Sequence, residues 1–347
     1  MPDSDVLRLI DANANRAREA LRVVEDYCRF ALDDADAALT AKRARHALRD
    51  ALKCTDDTAR LAARDAHNDV GREQKTPQEL QRESPEDVAR AAFARLTEAT
   101  RSLSEFGKLV APSLAAGVES IRYTAYELEQ RVALRGDARR RFRACRLYVI
   151  VTAALCRLDW RETARRAIRG GASCVQLREK SLSDLDLLQR ARDLRQITRA
   201  AGALLIINDR ADIARLADAD GVHVGQEDLP VAQARRIGGG RLLVGKSSHT
   251  VEQFDAAVAE SPDYVAIGPM FASATKPQPE IAGIDALAEV AGRSTLPIVA
   301  IGGIDGSNLA RVRRGGAACI CVCSAVISST DPEAAARELL AQFSEAT

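Results

Sequence analysis

The order of apolar and polar residues divides the chain in two. From residue 1 to about 134, apolar side chains recur at three- and four-residue spacing, as in Ala20-Leu21, Val24 and Tyr27, and long stretches lack β-branched runs. That rhythm predicts helix after helix. Pro77, Pro85 and Pro112 punctuate the interior of this half, each at a predicted helix start or break. From residue 147 onward, short and nearly continuous apolar runs alternate with helical stretches. The predicted strands are Leu147–Thr152, Cys174–Arg178, Ala203–Ile207, Gly221–Val224, Leu242–Gly245, Tyr264–Ile267, Ile298–Ile301 and Cys319–Val322. Strands apolar on both sides belong to a parallel sheet covered on both faces. So regular a series of strand–helix units over 147–347 predicts a closed (β/α)8 TIM barrel, with a doubly wound open sheet as the alternative. The fold class is α/β, the barrel being preceded by an all-α bundle.

The helical half carries an internal repeat. Arg16, Glu19-Ala20, Arg22, Val24, Asp26-Tyr27 and Arg29 recur in the same register as Arg95, Glu98-Ala99, Arg101, Leu103, Glu105-Phe106 and Lys108, and Arg45-His46 is echoed by Arg122-Tyr123. Two helix-turn-helix units related by a pseudo-twofold are expected to make a small bundle over 1–134. Between the halves, residues 135–146 contain Arg135, Arg139, Arg140, Arg141, Arg143 and Arg146. They read as an exposed basic linker or a fraying helix end.

Composition narrows the function classes. The formal net charge is +1, which gives no support to a nucleic-acid surface. The N-terminus has no basic stretch followed by an apolar one, and no run approaches the ~18 apolar residues of a membrane span. None of the cysteines forms a CxxC pair. They read as small buried thiols in a cytoplasmic, reducing location. Cys319, Cys321 and Cys323 alternate and should share one face of the last strand. Of His46, His67, His223 and His249, no pair has zinc spacing; His223 reads as structural.

In a TIM barrel the chemistry sits where strands end. Gln176, Arg178 and Lys180 follow the second strand, and alternation would aim all three at one place. Asn208-Asp209 follows the third, His223 to Asp228 the fourth, Gly245 to Thr250 the fifth, Gly268 to Pro277 the sixth, Gly302-Gly303 the seventh and Ser324-Ala325 the eighth. Basic residues, hydroxyls, glycines and carboxylates on one rim suit a phosphorylated ligand with a divalent cation. Asp209 and Asp228 are the candidate Mg²⁺ ligands, since Mg²⁺ takes one or two carboxylates plus substrate phosphates. Arg178, Lys180 and Lys276 would neutralise a pyrophosphate, and Gly302-Gly303 with Ser324 would cradle a phosphate.

With these residues the barrel resembles thiamine-phosphate synthase along its whole length, through Val175–Lys180, Ile207–Asp209, Gly221–Asp228, Gly245–Thr250, Asp263–Pro269, Ala274–Pro277, Pro297–Ile304 and Ser324-Ala325. The resemblance implies coupling of an aminopyrimidine pyrophosphate to a thiazole phosphate by a dissociative route. It implies that Gln176, Arg178 and Lys180 hold pyrophosphate, that Asn208 contacts the aminopyrimidine, and that Asp209 and Asp228 bind Mg²⁺. Ser247 would lie near the exocyclic amine and the reacting centre. Ser273, Thr275 and Lys276 would clamp phosphate and pyrophosphate, while Gly303, Cys323 and Ser324 would cradle the thiazole phosphate. The family usually has an aliphatic residue at position 323. Arg178, Lys180, Ser247 and Lys276 are the catalytic candidates. Small-molecule substrates are implied, with no nucleic-acid or membrane partner; self-association into a homo-oligomer is left open.

Two rival readings of the barrel are a thiazole tautomerase, with His249 as acid or base, and a non-catalytic scaffold. The tautomerase would not need the pyrophosphate and metal residues. No nucleophile elbow surrounds Ser247-Ser248-His249. The N-terminal half resembles a helical domain fused ahead of thiamine-phosphate synthase in some bacteria and proposed to phosphorylate a pyrimidine phosphate. Asn15-Arg16, Glu19 to Arg22, Glu25-Asp26, Arg45-His46, Asn68 to Gly71, Arg101 and Arg122-Tyr123 carry that likeness. It contains no Walker-type loop, so kinase, assembly module and structural extension all stand.

Overall fold

The structure is a computed structural model that describes residues 3–65, 67, 69–70, 81–272 and 281–344. The chain forms two compact units, Met1–Gly136 and Asp137–Thr347.

The first unit is helical, as its periodicity predicts: α1 (Ser4–Phe30), α2 (Ala35–Ala51), the short α3 (Asp57–Ala62), α4 (Pro85–Gly107) and most of α5 (Pro112–Arg143). Local chemistry starts these helices. Asp34 accepts from the Ala37 amide, Asp56 from Thr58 and Ser84 from Asp87, each satisfying an amide the helix cannot. Pro85 occupies the first turn of α4, where its missing N–H costs nothing. The repeat is visible as two hairpins, α1–α2 and α4–α5. Their core is rich in alanine, with Ala14, Ala17 and Ala20 on α1 and Ala89, Ala92 and Ala99 on α4. Small side chains let helices approach closely without aromatic filling.

Residues 135–146 correct the sequence reading. Of the two alternatives the helix end holds, since α5 continues to Arg143, and Arg140, Arg143 and Arg146 are exposed; but Arg135 is 1% exposed and the segment is not an exposed linker throughout. Two long-range facts explain this. Arg135 Nη1 donates to Asp34 at 3.0 Å, beside Arg131 at 2.6 Å. Beyond Gly136, Ala138, Phe142 and Cys145 recur at helical spacing and are buried within the second unit. Arg139 pairs with Asp263 at 3.4 Å and Arg141 donates to the Gly202 carbonyl at 3.0 Å.

In the second unit the strands are β1 (Leu147–Val151), β2 (Cys174–Leu177), β3 (Leu204–Asn208), β4 (Gly221–Val224), β5 (Leu243–Ser248), β6 (Tyr264–Ile267), β7 (Ile298–Ile301) and β8 (Cys319–Val322). They close in sequence order, all parallel, with β8 pairing β1. β5 runs on to Ser248, past the predicted end at Gly245. Outward side chains such as Val149, Val175, Leu205 and Val244 pack beneath the covering helices. Inward side chains form a separate core of Tyr148, Ile150, Cys174, Leu204, Ile206, Leu243, Tyr264, Val299, Cys319 and Cys321. Phe142 closes the barrel at the strand N-termini, its ring stacked on Tyr264 at 4.0 Å. Gly245 makes room for that tyrosine, because a Cβ there would come within 2.1 Å of the Tyr264 ring. With the lower end plugged, the barrel is open only at the carboxyl ends of its strands.

Candidate active site

A cavity of about 530 Å³ occupies that upper end, within the size range of small-molecule sites. Arg178, Asn208, Ser247, Gly303, Cys323 and Ser324 line it, as the sequence reading expects, and Gln176 forms part of its floor. The β1–β2 edge is fixed by Thr152, whose hydroxyl donates to the Arg178 carbonyl at 2.8 Å while the Arg178 amide donates to Val151 at 3.0 Å. Glu179 points elsewhere: it accepts from the Ala153 amide and from Arg190. The Arg178 guanidinium counteracts the burial that pushes the Cys323 thiol up to about 11.

Gln176, Arg178 and Lys180 do not converge on one point, which corrects the alternation argument. β2 ends at Leu177, so the two-residue alternation does not extend to Lys180. Gln176 is buried and donates to Tyr148, whereas Lys180 is exposed at the rim and pairs with Asp209 at 3.1 Å.

Asp209 and Asp228 come together from the ends of β3 and β4. Asp209 sits at φ 60°, a conformation Asp tolerates better than most residues, with its amide bonded to the His223 carbonyl at 2.8 Å. The Asp228 carboxylate folds back onto the Gly225 amide at 2.7 Å. The two carboxylates are close enough to shift each other's titration. Burial raises the Asp209 pKa, and the neighbouring Asp228 carboxylate raises it further against the pull of Lys180. Burial works against ionisation of Asp228 too. Its bond to Asp209, the Gly225 N–H and the charges of Lys180 and Lys246 nevertheless hold it below its ordinary value. Of these two adjacent carboxylates one is held towards its protonated form while the other is favoured as the anion, and a divalent cation would let both ionise, so this donor set fits Mg²⁺. Among the described residues no cluster of three or more His, Cys, Asp or Glu side chains could hold a metal; other ligands would have to be substrate oxygens or water.

On the opposite rim Gly303 has φ 65°, and a Cβ there would meet the Phe271 and Ala272 carbonyls at 2.6 and 2.7 Å. Only glycine fits this close crossing of loops. Ser273, Thr275 and Lys276 lie outside the described residues.

Sequence reasoning missed Tyr148 and Thr152, took His223 as structural and named His249 only under the tautomerase reading; all four line the cavity. His223 reads as structural from its strand position, yet its Nε2 is 2.8 Å from Ser247 Oγ. His249 is turned onto the Gly268 carbonyl. The one available signal was strand parity, which puts His223 on the inward face shared with Gly221.

In the helical unit Arg64 and, from the repeat, Arg45, Arg101 and Arg122 are taken up by neighbours. Arg45 pairs with Glu25 at 2.9 Å, Arg64 with Asp11 at 2.7 Å, Arg101 with Glu105 at 3.0 Å and Arg122 with Glu119 at 3.2 Å. Asn68 and Gly71 are outside the described residues. No helix among those described is long and apolar enough to cross a membrane.

Comparison with known proteins gives a match to the thiamine monophosphate synthase family over residues 147–326 and to the ThiD2 family over residues 8–131. A thiamine-phosphate synthase from Synechocystis is 40% identical over 98% of this chain and 96% of its own length. One from Prochlorococcus marinus is 42% identical over 97% and 96%. The solved structure of a thiamine phosphate pyrophosphorylase from Pyrococcus furiosus superimposes with a TM-score of 0.55 at 33% identity, covering 59% of this chain and 98% of that one.

Proposed function

Since the chain belongs to the thiamine monophosphate synthase family, we propose that its barrel joins 4-amino-2-methyl-5-hydroxymethylpyrimidine pyrophosphate to hydroxyethylthiazole phosphate, giving thiamine phosphate and pyrophosphate. The observation that carries this reading is the meeting of Asp209, Asp228 and Lys180 next to Asn208, which lines a cavity that Gly303, Cys323 and Ser324 also line. That is a place for two phosphorylated ligands side by side, with the ring-sized space between them bounded by Asn208 and Ser247.

The chemistry needs no strong base or nucleophile. The bond from the pyrimidine methylene to the pyrophosphate oxygen breaks, pyrophosphate leaves with the electron pair, and the thiazole nitrogen supplies the pair that forms the new C–N bond. Arg178 and Lys180, with Lys276, hold and neutralise the leaving group. Asp209 and Asp228 would hold a Mg²⁺, which adds positive charge at the departing oxygens. Asn208 and Ser247 orient the pyrimidine, and Gly303, Cys323 and Ser324 hold the thiazole phosphate so that its nitrogen faces the methylene. Alignment of this kind is itself a large part of the rate gain available to a two-substrate reaction. Free buried thiols such as Cys174, Cys319 and Cys321 suit a reducing, cytoplasmic setting.

Incubating the full chain with both substrates and Mg²⁺ should release pyrophosphate and thiamine phosphate in equal amounts. Isomerisation of the thiazole without pyrophosphate release would favour the tautomerase. For the helical unit, ATP and the pyrimidine monophosphate replace the pyrophosphate in the same assay. Product formation supports a kinase, and its absence with an active barrel leaves an assembly module or a structural extension.

A further inference from the structure

Beneath the cavity runs a chain of hydrogen bonds that the reaction above leaves unexplained. Gln176 Nε2 donates to the Tyr148 hydroxyl at 2.5 Å. The Tyr148 and Tyr264 hydroxyls are 3.3 Å apart, and Tyr264 is 3.1 Å from His223 Nδ1. His223 Nε2 reaches Ser247 Oγ at 2.8 Å. Gln176, Tyr148, Tyr264 and His223 are all buried. The His223 and Tyr264 rings stack with centroids 5.5 Å apart, and Phe142 supports Tyr264 from below, which leaves the rings little freedom to reorganise.

A series of hydroxyls, each with one hydrogen, runs in one direction or the other. Burial holds both phenols well above their ordinary pKa, so each keeps its proton. Gln176 supplies an N–H at the lower end. Tyr148 therefore accepts there and gives its hydrogen to Tyr264, which gives its own to His223 Nδ1. A neutral imidazole that accepts at Nδ1 carries its hydrogen on Nε2, and that hydrogen goes to Ser247 Oγ. Ser247 keeps its own hydrogen for whatever occupies the cavity. Run backwards, the chain would spend the Ser247 hydrogen on His223 and present only lone pairs.

We propose that Gln176, Tyr148, Tyr264 and His223 form a one-way relay that fixes Ser247 as a hydrogen-bond donor toward the cavity. His223 and the two tyrosines are thereby positioning residues that select a heteroaromatic ring offering an unprotonated nitrogen at that point. An aminopyrimidine offers one; its oxo counterpart carries an N–H instead and is rejected. The choice of ligand rests on the pyrimidine pyrophosphate reading given above, whereas the direction of the relay does not.

The test is ring-nitrogen NMR of the full chain labelled with ¹⁵N-histidine, without substrate, with His223 assigned through His223→Gln. The relay requires the Nε2–H tautomer; the Nδ1–H tautomer or an imidazolium overturns it. Gln176→Glu replaces the terminal donor with an acceptor and should convert His223 to Nδ1–H; an unchanged tautomer also overturns the proposal. Should that variant not fold, Tyr148→Phe cuts the relay at its first hydroxyl and should leave both tautomers populated; a single retained tautomer is again contrary. Tyr264→Phe should lower kcat/KM for the pyrimidine pyrophosphate about tenfold, the scale of one hydrogen bond, with the KM for thiazole phosphate unchanged. An Nε2–H tautomer in a chain that does not turn over the pyrimidine sinks the proposed function alone; turnover with an Nδ1–H tautomer sinks the relay alone.

Discussion

In the helical unit Asp34 is enclosed by Arg131 and Arg135 at 2.6 and 3.0 Å, and its carboxylate also caps α2. In the barrel Asp209 and Asp228 face one another, with Lys180 as the ion-pair partner of Asp209. The first carboxylate already has its charge matched, and nothing further is needed from solution. The second arrangement sets two carboxylates against one lysine, so that Asp209 is held towards its protonated form unless further positive charge is supplied. On the proposed reading the same residue type would serve cohesion in one unit and cation binding in the other. What separates the two uses is the partner brought in by the fold, not the residue itself.

The strongest way to break this contrast is to remove the carboxylates of the barrel. Asp209→Asn and Asp228→Asn should each lower kcat/KM by about 10³-fold or more, since several kcal/mol of charge stabilisation would be lost at about 1.4 kcal/mol per decade. Asparagine is the better replacement at 209, because it tolerates the left-handed backbone there. Both variants should melt within a few degrees of the parent, read by circular dichroism. Near-normal activity over a Mg²⁺ titration would remove the assignment of these residues to a metal.

The converse substitution belongs to the helical unit. Asp34→Ala removes a carboxylate that is 2% exposed from beside a guanidinium that is 1% exposed. Breaking a buried pair on one side costs about 3 kcal/mol or more. Thermal unfolding followed by helical ellipticity should show the loss; a melting curve identical to the parent would mean that the ion pair contributes nothing.

A third substitution sharpens the division of labour inside the cavity. Arg178→Ala should raise the KM for the pyrimidine pyrophosphate about 10–100-fold, as expected for a charge-assisted bond worth about 1.5–3 kcal/mol. The KM for thiazole phosphate should move much less. Equal losses for both ligands would place Arg178 between the subsites rather than on the pyrophosphate.

How far these sites could be read from the sequence follows the same contrast. The strands were legible because a parallel barrel buries both faces of each strand. Runs such as Leu147–Val151 and Ile298–Ile301 therefore contain almost nothing polar, and the polar residues collect where the runs stop. Arg178, Asn208, Asp209, Asp228 and Ser247 stood out for that reason. Residues 135–146 were misread because a count of arginines says nothing about Asp34, about a hundred residues away in sequence, or about Phe142 filling the end of a barrel. His223 was undervalued because alternation tells which face a side chain takes but not whether that face is filled or hollow. Its role depends on the depth of the cavity, which no local pattern encodes.

The smallest effect tests the repeat within the helical unit. Arg45 reaches across from α2 to Glu25 on α1, which is buried. In the second copy of the repeat Ser104 stands in the register of Glu25, so Arg122 has no such carboxylate. It turns instead to Glu119 one turn back on its own helix, at 3.2 Å, with its Nε buried and without a hydrogen-bond partner. Replacing a buried, incompletely bonded guanidinium with an apolar side chain of similar length is often neutral or stabilising. Arg122→Met should therefore change stability by no more than about 0.5 kcal/mol, whereas Arg45→Met should cost about 1–2 kcal/mol by leaving Glu25 buried beside only the more distant Arg22 at 3.8 Å. Matched thermal melts of the two variants decide the point. A loss at Arg122 as large as at Arg45 would show that the second copy holds its arginine by something other than the pairs described, and the contrast between matched and unmatched charge would no longer separate the two copies.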